Sequence, residues 1–284
     1  MLAAKGPGPA SSYNQILAGY EADGTPIPAL VPAFSLNGYG TRLGGGDLFG
    51  DEVHEILAMP GPGPTHPPAV RGFHASGVPI ATVDYFAYGV LAYGGNVSAA
   101  DVDDVSFSEI LTGPGPGPAF GPQVRGWSYD GSSQPQGLTK VNYYAYGTLN
   151  YGVSADALDA DADGYAEILT GAGPGPVFGP HVRGWNYDGT VLASMPGLSF
   201  LAYSTLKYGV NAVGGELDGD ARGEILTGPG PGSVFGAHLR GFQYAGTVSA
   251  IGNISAFVFG TRYGLDVAAA DVEAGWLLRD RRRA

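Results

Sequence analysis

An all-β fold assembled from repeated four-stranded units is predicted by three observations. The tripeptide Glu-Ile-Leu recurs at Glu55, Glu109, Glu167 and Glu224, spaced by 54, 58 and 57 residues. A Gly-Pro-rich turn follows each copy, and an apolar strand with an Arg-Gly-aromatic core follows each turn. Glycine (49) and proline (22) account for 71 of 284 residues, alongside 17 tyrosines and 12 phenylalanines. Turn formers at a fixed period, separated by aromatic residues that favour strands, describe tight turns rather than disorder.

The chain begins inside a repeat. Leu2 stands in the place of Leu57, and Gly6-Pro7-Gly8-Pro9 is the first Gly-Pro turn. The later turns are Gly61-Pro62-Gly63-Pro64, Gly113 to Pro118, Gly171 to Pro176 and Gly228 to Gly232. The next strand reads Val70-Arg71-Gly72-Phe73, Val124-Arg125-Gly126-Trp127, Val182-Arg183-Gly184-Trp185 and Leu239-Arg240-Gly241-Phe242; the first copy is Leu17-Ala18-Gly19-Tyr20. Asp130-Gly131 and Asp188-Gly189 are dipeptides of tight hairpins. An aromatic strand follows, as in Tyr85-Phe86-Ala87-Tyr88, Tyr143-Tyr144-Ala145-Tyr146, Phe200-Leu201-Ala202-Tyr203 and Phe257-Val258-Phe259. Each repeat closes on Tyr-Gly, small apolar residues and an acidic loop. Tyr39, Tyr93, Tyr151, Tyr208 and Tyr263 each lie eight residues before the first loop position.

About four strands of 4–7 residues per repeat, with no helical periodicity, predict a β-propeller. Five copies predict five blades of four antiparallel strands within a single domain spanning 1–284. The offset start predicts a closing blade shared between the termini, from about 1–34 plus 263–279, which would remove exposed sheet edges.

Net charge is −12. That argues against nucleic acid and anionic membrane surfaces as partners, since both recruit basic patches. No apolar run approaches the ~20 residues needed to span a bilayer, so no membrane insertion is expected. The absence of cysteine excludes disulfides and thiolate metal sites. Met1 to Pro7 has no long apolar core and does not read as a signal peptide. No nucleophile elbow, His-Glu-x-x-His motif or cysteine nucleophile is present, so an enzyme is not expected.

The most specific chemistry lies in Asp159-Ala160-Asp161-Ala162-Asp163-Gly164-Tyr165-Ala166-Glu167. Alternating carboxylates on a short, sharply turning backbone suit a hard cation such as calcium. Gly164 falls where the turn needs positive φ. The spacing is not that of an EF-hand, whose closing glutamate would stand at Thr170.

These residues resemble the FG-GAP repeat of integrin-α-like, or VCBS-type, propellers, and look like the Gly-Pro-rich variant of large bacterial surface proteins. Tyr151-Gly152 stands for the Phe-Gly that opens the inner strand. Asp159 to Glu167 stands for the calcium loop, and Glu167 to Pro174 for the strand that ends in Gly-Ala-Pro. Integrin propellers have seven blades, against five copies here. The resemblance implies ligands at loop positions 1, 3, 5 and 9 and a backbone carbonyl at position 7. For the third copy these are Asp159, Asp161, Asp163, Glu167 and the Tyr165 carbonyl. The fourth offers Glu216, Asp218, Asp220 and Glu224, with Ala221 in place of the glycine. The second offers Asp101, Asp103 and Glu109, with Val105 replacing a ligand. The first offers Asp47, Asp51 and Glu55, with Phe49 replacing one. Asp271, Glu273 and Arg279 in the fifth copy are not expected to hold metal.

The expected function is a non-catalytic calcium-binding (Ca2+) module with a structural or interaction role in an extracellular or cell-surface protein. It would be monomeric, with a protein or glycan ligand that the sequence does not name. The alternative is a glycan-binding lectin with repeated pockets between blades, using the ring Tyr20, Phe73, Trp127, Trp185 and Phe242. Against it stands simple packing between blades. Arg71, Arg125, Arg183 and Arg240 are expected to pair with acidic residues of adjacent blades. His54, His66 and His74 read as surface or turn residues, and His181 and His238 as too few for zinc.

Overall fold

The computed structural model describes residues 2–4, 14–20, 24–90, 92–103, 105, 107–118, 120–148, 150–176, 178–205, 207–233 and 236–269. Among them the chain is all-β, and it forms a β-propeller. Blade 1 comprises β4 (Thr41–Gly46), β5 (Glu55–Pro60), β6 (Ala69–Phe73) and β7 (Pro79–Val90). Blade 2 comprises β8 (Gly95–Ala100), β9 (Glu109–Pro114), β10 (Gln123–Ser128) and β11 (Gln136–Thr148). Blade 3 comprises β12 (Val153–Leu158), β13 (Glu167–Ala172), β14 (His181–Tyr187) and β15 (Leu192–Thr205). Blade 4 comprises β16 (Val210–Gly215), β17 (Glu224–Pro229), β18 (Gly236–Tyr244) and β19 (Val248–Arg262). Each is a four-stranded antiparallel sheet in sequence order. A separate three-stranded sheet joins β1 (Leu2–Ala3), β2 (Asn14–Tyr20) and β3 (Pro26–Asn37).

The propeller therefore has four blades, not the five expected. Residues 264–269 run beside blade 4, where the Leu265 amide donates to the Pro229 carbonyl (2.9 Å), but they form no regular strand. Among the described residues the terminal segments do not join into a fifth four-stranded blade. Among the described residues β1 spans two residues and pairs only with β2. The Gly6 to Pro9 turn and the fifth acidic loop lie outside the described residues.

The second strand of each blade, Glu-Ile-Leu and its continuation, is buried along its whole length. Period-two alternation sends the isoleucine and leucine to opposite faces. Ile110 packs with Leu57, Val70 and Tyr88 of blade 1, while Leu111 packs with Val153 and Ala155 of blade 3. Ile168 and Leu169, and Ile56 and Leu57, divide in the same way. The core is thus a series of layers between neighbouring sheets: N-terminal sheet with blade 1, 1 with 2, 2 with 3, and 3 with 4.

Each outer strand bulges opposite the Arg-Gly pair, at Arg71/Gly72, Arg125/Trp127, Arg183/Gly184 and Arg240/Gly241. The glycine is required there: a Cβ on Gly184 would meet Leu198 Cδ1 at 2.8 Å, and one on Gly126 would meet Val141 Cβ at 2.8 Å. These contacts lie within one blade, so the glycine accommodates its own outer strand rather than the next sheet.

Two polar latches cross the blade boundaries. The Arg125 guanidinium donates to the Ala87 carbonyl and Arg183 to that of Ala145, both at 2.7 Å, and Arg240 donates to that of Ala202. Arg71 reaches the Ala33 carbonyl at 2.7 Å in the same way and also bonds Asp84. The expected acidic partners across blades are therefore replaced by backbone carbonyls, which gain a charge-assisted bond. In the opposite direction the Tyr88 hydroxyl lies 2.7 Å from the Thr112 carbonyl and 2.9 Å from that of Gln123. Tyr146 and Tyr203 repeat this on Thr170 with His181, and on Thr227 with His238.

Candidate metal loops and the axial channel

The acidic loops sit where each inner strand turns into the Glu-Ile-Leu strand. One interaction fixes all four. The closing glutamate is buried and accepts the amide of loop position 2: Leu48 to Glu55 (3.0 Å), Val102 to Glu109 (3.2 Å), Ala160 to Glu167 (2.7 Å) and Leu217 to Glu224 (2.8 Å).

Three loops gather carboxylates. In each of Asp101/Asp103/Glu109, Asp159/Asp161/Glu167 and Glu216/Asp218/Glu224, one oxygen per residue falls within 4.8 Å of the others. Calcium binds oxygens at 2.3–2.6 Å, so ligands on opposite sides stand about 5 Å apart. The spacing matches. Asp101 Oδ1 and Asp161 Oδ1 are buried atoms with no hydrogen-bond partner. A buried, unpartnered carboxylate oxygen is costly unless something positive meets it.

The electrostatics agree. Burial pushes Glu109 up to about 8, with the Asp103 charge adding to it against the Val102 hydrogen bond. Burial likewise pushes Glu167 up to about 7, opposed by the Ala160 amide and reinforced by Asp161, Asp163 and Asp159. Glu224 and Asp161 are raised too, first by burial and then by neighbouring carboxylates.

Two expected ligands stand apart from these groups. Asp163 accepts the Tyr165 amide (2.9 Å) and Asp220 the Arg222 amide (2.9 Å), so both cap turns. Gly164 has φ +96°, as expected. Its counterpart Ala221 holds φ +82° despite its side chain. Position 4 is left-handed as well, at Gly50 (+68°), Ala162 (+63°) and Gly219 (+83°), and glycine marks it in two of these copies.

The first loop departs from the other three. Asp47, Asp51 and Glu55 do not form such a cluster among the described residues. Asp47 instead accepts four amides, from Phe49, Gly50, Asp51 and Glu52, at 2.7–3.2 Å. Burial works to raise its pKa, but these bonds together outweigh it and lower the net value. Asp51 caps Val53 (3.0 Å). Phe49 stacks on His74 at 5.4 Å, and His74 Nδ1 approaches Glu55 Oε1 at 3.7 Å. An imidazole thus occupies the surroundings of the glutamate where a cation was expected.

Two of the third-strand aromatics pack across blade boundaries. Trp127 lies 4.8 Å from Tyr85 of blade 1, and Trp185 lies 4.5 Å from Tyr143 of blade 2. Their indole N–H groups donate to Thr112 and Thr170. His181 and His238 pair with Ser199 and Ser255. His66 is buried rather than at the surface, edge-on to Tyr39 at 5.6 Å.

The inner strands β4, β8, β12 and β16, together with residues 266–269, line an axial channel of about 690 Å³. Three residues beyond each Tyr-Gly tyrosine stand Arg42, Asn96, Ser154, Asn211 and Asp266, all lining it. Arg42 pairs with Asp266 at 2.6 Å, and the Asn211 amide donates to the Leu265 carbonyl at 2.8 Å. Asp156, lower in the channel, is pushed up to about 6 by burial, against the Gly214 amide. A mouth of about 440 Å³ opens above, lined by Tyr39, Tyr93, Tyr151, Pro116, Pro174 and Pro231. These tyrosines all hold left-handed φ, from +61° to +83°. The constant offset from the Tyr-Gly pair is the sequence signal of this polar ring.

No protein-family model matches the chain, and no curated protein matches it in sequence. Among solved structures it is similar to a rhamnogalacturonan lyase of Bacillus licheniformis, with 14% identity over 81% of this chain and a TM-score of 0.45. It is also similar to the rhamnogalacturonan lyase YesW, with 13% identity over 87% of this chain and a TM-score of 0.40. The chain spans 50% and 58% of those two proteins.

Proposed function

We propose that the chain is a non-catalytic, calcium-stabilised propeller module of an extracellular protein. One observation carries the reading: three equivalent loops each draw three carboxylates within 4.8 Å around a buried glutamate. Hard-cation oxygen chemistry fits that donor set. The residues that would hold calcium are Asp101, Asp103 and Glu109; Asp159, Asp161 and Glu167, with the Tyr165 carbonyl; and Glu216, Asp218 and Glu224. A bound cation would offset the repulsion among these charges and hold the inner hairpin shut. It would thus act on stability more than on any exposed surface. The test is thermal unfolding with chelator and with calcium: a rise in melting temperature is expected, and superimposable curves would leave the loops as metal-free turns.

The channel mouth favours a second reading, glycan binding. Tyrosine rings and channel-lining Asn96, Ser154 and Asn211 supply stacking and polar contacts that suit a sugar. Reproducible signal on a glycan array, lost on Tyr151→Ala with the fold intact, would favour it. An array without signal would set it aside.

A further inference from the structure

The acidic loops are joined to one another. At three blade boundaries the amide at loop position 8 donates to the carbonyl of position 1 in the loop of the preceding blade. Ser108 donates to Asp47 (2.8 Å), Ala166 to Asp101 (3.1 Å) and Gly223 to Asp159 (2.6 Å). Position 8 stands next to the buried closing glutamate, and position 1 carries the first carboxylate of its loop.

The seat is tight. A Cβ on Gly46 would meet Ser108 Oγ at 3.0 Å, and one on Gly223 would meet Leu158 Cβ at 2.9 Å. Position 8 is accordingly small in these three loops, whereas the loop of blade 1 carries the exposed His54 there. Numbered by their blades, loops 1 to 4 form a row in which loop 3 is bonded to both loop 2 and loop 4.

We infer that the three carboxylate loops bind calcium cooperatively, each occupied loop raising the affinity of the loop bonded to it. This rests on the calcium reading above, in which the Tyr165 carbonyl is a ligand. That carbonyl and the Ala166 amide belong to one planar trans peptide, so they point to opposite sides. The bond to Asp101 therefore aims the Tyr165 oxygen away from loop 2. Drawing that oxygen onto a cation in loop 3 polarises the peptide and strengthens its N–H as a donor. The Asp101 end of loop 2 is then held more firmly, and less ordering is left for a second cation to impose. The Arg222–Gly223 peptide stands in the same relation to Asp159 and joins loop 4 to loop 3. Direct repulsion between two bound cations has the opposite sign, and physiological salt screens it over about 8 Å. The sign of the coupling separates the two routes.

The probe is calcium, titrated into the chelator-treated whole chain at about 0.15 M salt and followed by amide chemical shifts. The Val102, Ala160 and Leu217 amides each donate to one closing glutamate, so they report loops 2, 3 and 4 separately. All three should titrate more steeply than a single site allows. Asp161→Ala removes a loop 3 carboxylate and should weaken loops 2 and 4 by about fivefold, the lower end of usual coupling between sites. Asp103→Ala should weaken loop 3 to the same extent and leave loop 4 within about twofold, because among the described residues no such bond joins loops 2 and 4. Both effects should persist at about 0.5 M salt, where the through-space effect of losing a carboxylate is largely screened. Three independent single-site curves, a loop 4 as sensitive to Asp103→Ala as loop 3, or effects that vanish in high salt would overturn the coupling and leave the calcium reading standing. No shift at any of the three amides at millimolar calcium would remove the calcium reading and the coupling together.

Discussion

Glu167→Gln offers a test in which the sign of the effect reverses with calcium. In the metal-free chain Glu167 is 1% exposed, and its pKa is lifted from 4.5 to about 7, first by burial and then by Asp161, Asp163 and Asp159. That difference corresponds to ~3 kcal/mol at full strength. Solvent around the loop screens the neighbouring charges, so about 1–2 kcal/mol is expected at pH 8. Glutamine keeps an oxygen for the Ala160 amide and turns an N–H group toward the aspartates. In chelator, at pH 8, the variant should therefore melt about 2–6 °C above the parent. With calcium the order should invert. Saturation of one site to roughly a hundred times its dissociation constant stabilises by about 2.7 kcal/mol, which the variant forgoes at this loop. Differential scanning calorimetry in the two buffers reads both arms. A variant less stable than the parent in chelator would refute the reasoning, because Glu167 would then be satisfied without a cation.

Four further outcomes follow from the same geometry. Asp161→Ala should reduce the calcium-dependent rise in melting temperature, read by the same calorimetry. Glu109 and Glu167 have folded values of about 8 and 7, above the ordinary 4.5. Their contribution to metal-free stability is full below about pH 4.5 and is lost as pH rises through 7 to 8; denaturant titrations at pH 5 and pH 8 in chelator should show that loss, and calcium should remove it. Ala221→Gly relieves a left-handed alanine and should stabilise by ~1 kcal/mol in an equilibrium urea titration. Tyr146→Phe takes a hydroxyl from between the Thr170 and His181 carbonyls, and should cost about 1–2 kcal/mol in the same assay without altering calcium affinity.

The repeats were legible because a buried second strand has little choice of residue, and Glu-Ile-Leu marks it four times. The blade count was not. It depended on whether two chain ends would pair, and the two-residue β1 leaves that question to tertiary structure. Counting carboxylates likewise left Asp47/Asp51/Glu55 level with Asp101/Asp103/Glu109. The difference lies in where oxygens are spent: Asp47 gives its own to four amides, and Phe49 brings His74 over Glu55. Asp163 and Asp220 carried the right spacing for ligands but lie outside the three clusters; each accepts the amide two residues on, as Asp218 does within its cluster. The arginines looked for acids because charge suggests charge. Their partners are carbonyls 38 residues upstream, at Ala33, Ala87, Ala145 and Ala202, and the recurring alanine at that separation was the available clue.

Titration calorimetry of the chelator-treated chain with calcium tests the central claim most directly. Binding to three sites is expected, with affinity on the order of 10⁻⁴–10⁻³ M as in extracellular modules, and with no contribution from the Asp47 loop. An Asp47→Asn variant should keep all three sites, while Asp161→Ala should keep two. Absence of binding heat at millimolar calcium would contradict the account and leave four metal-free turns in its place.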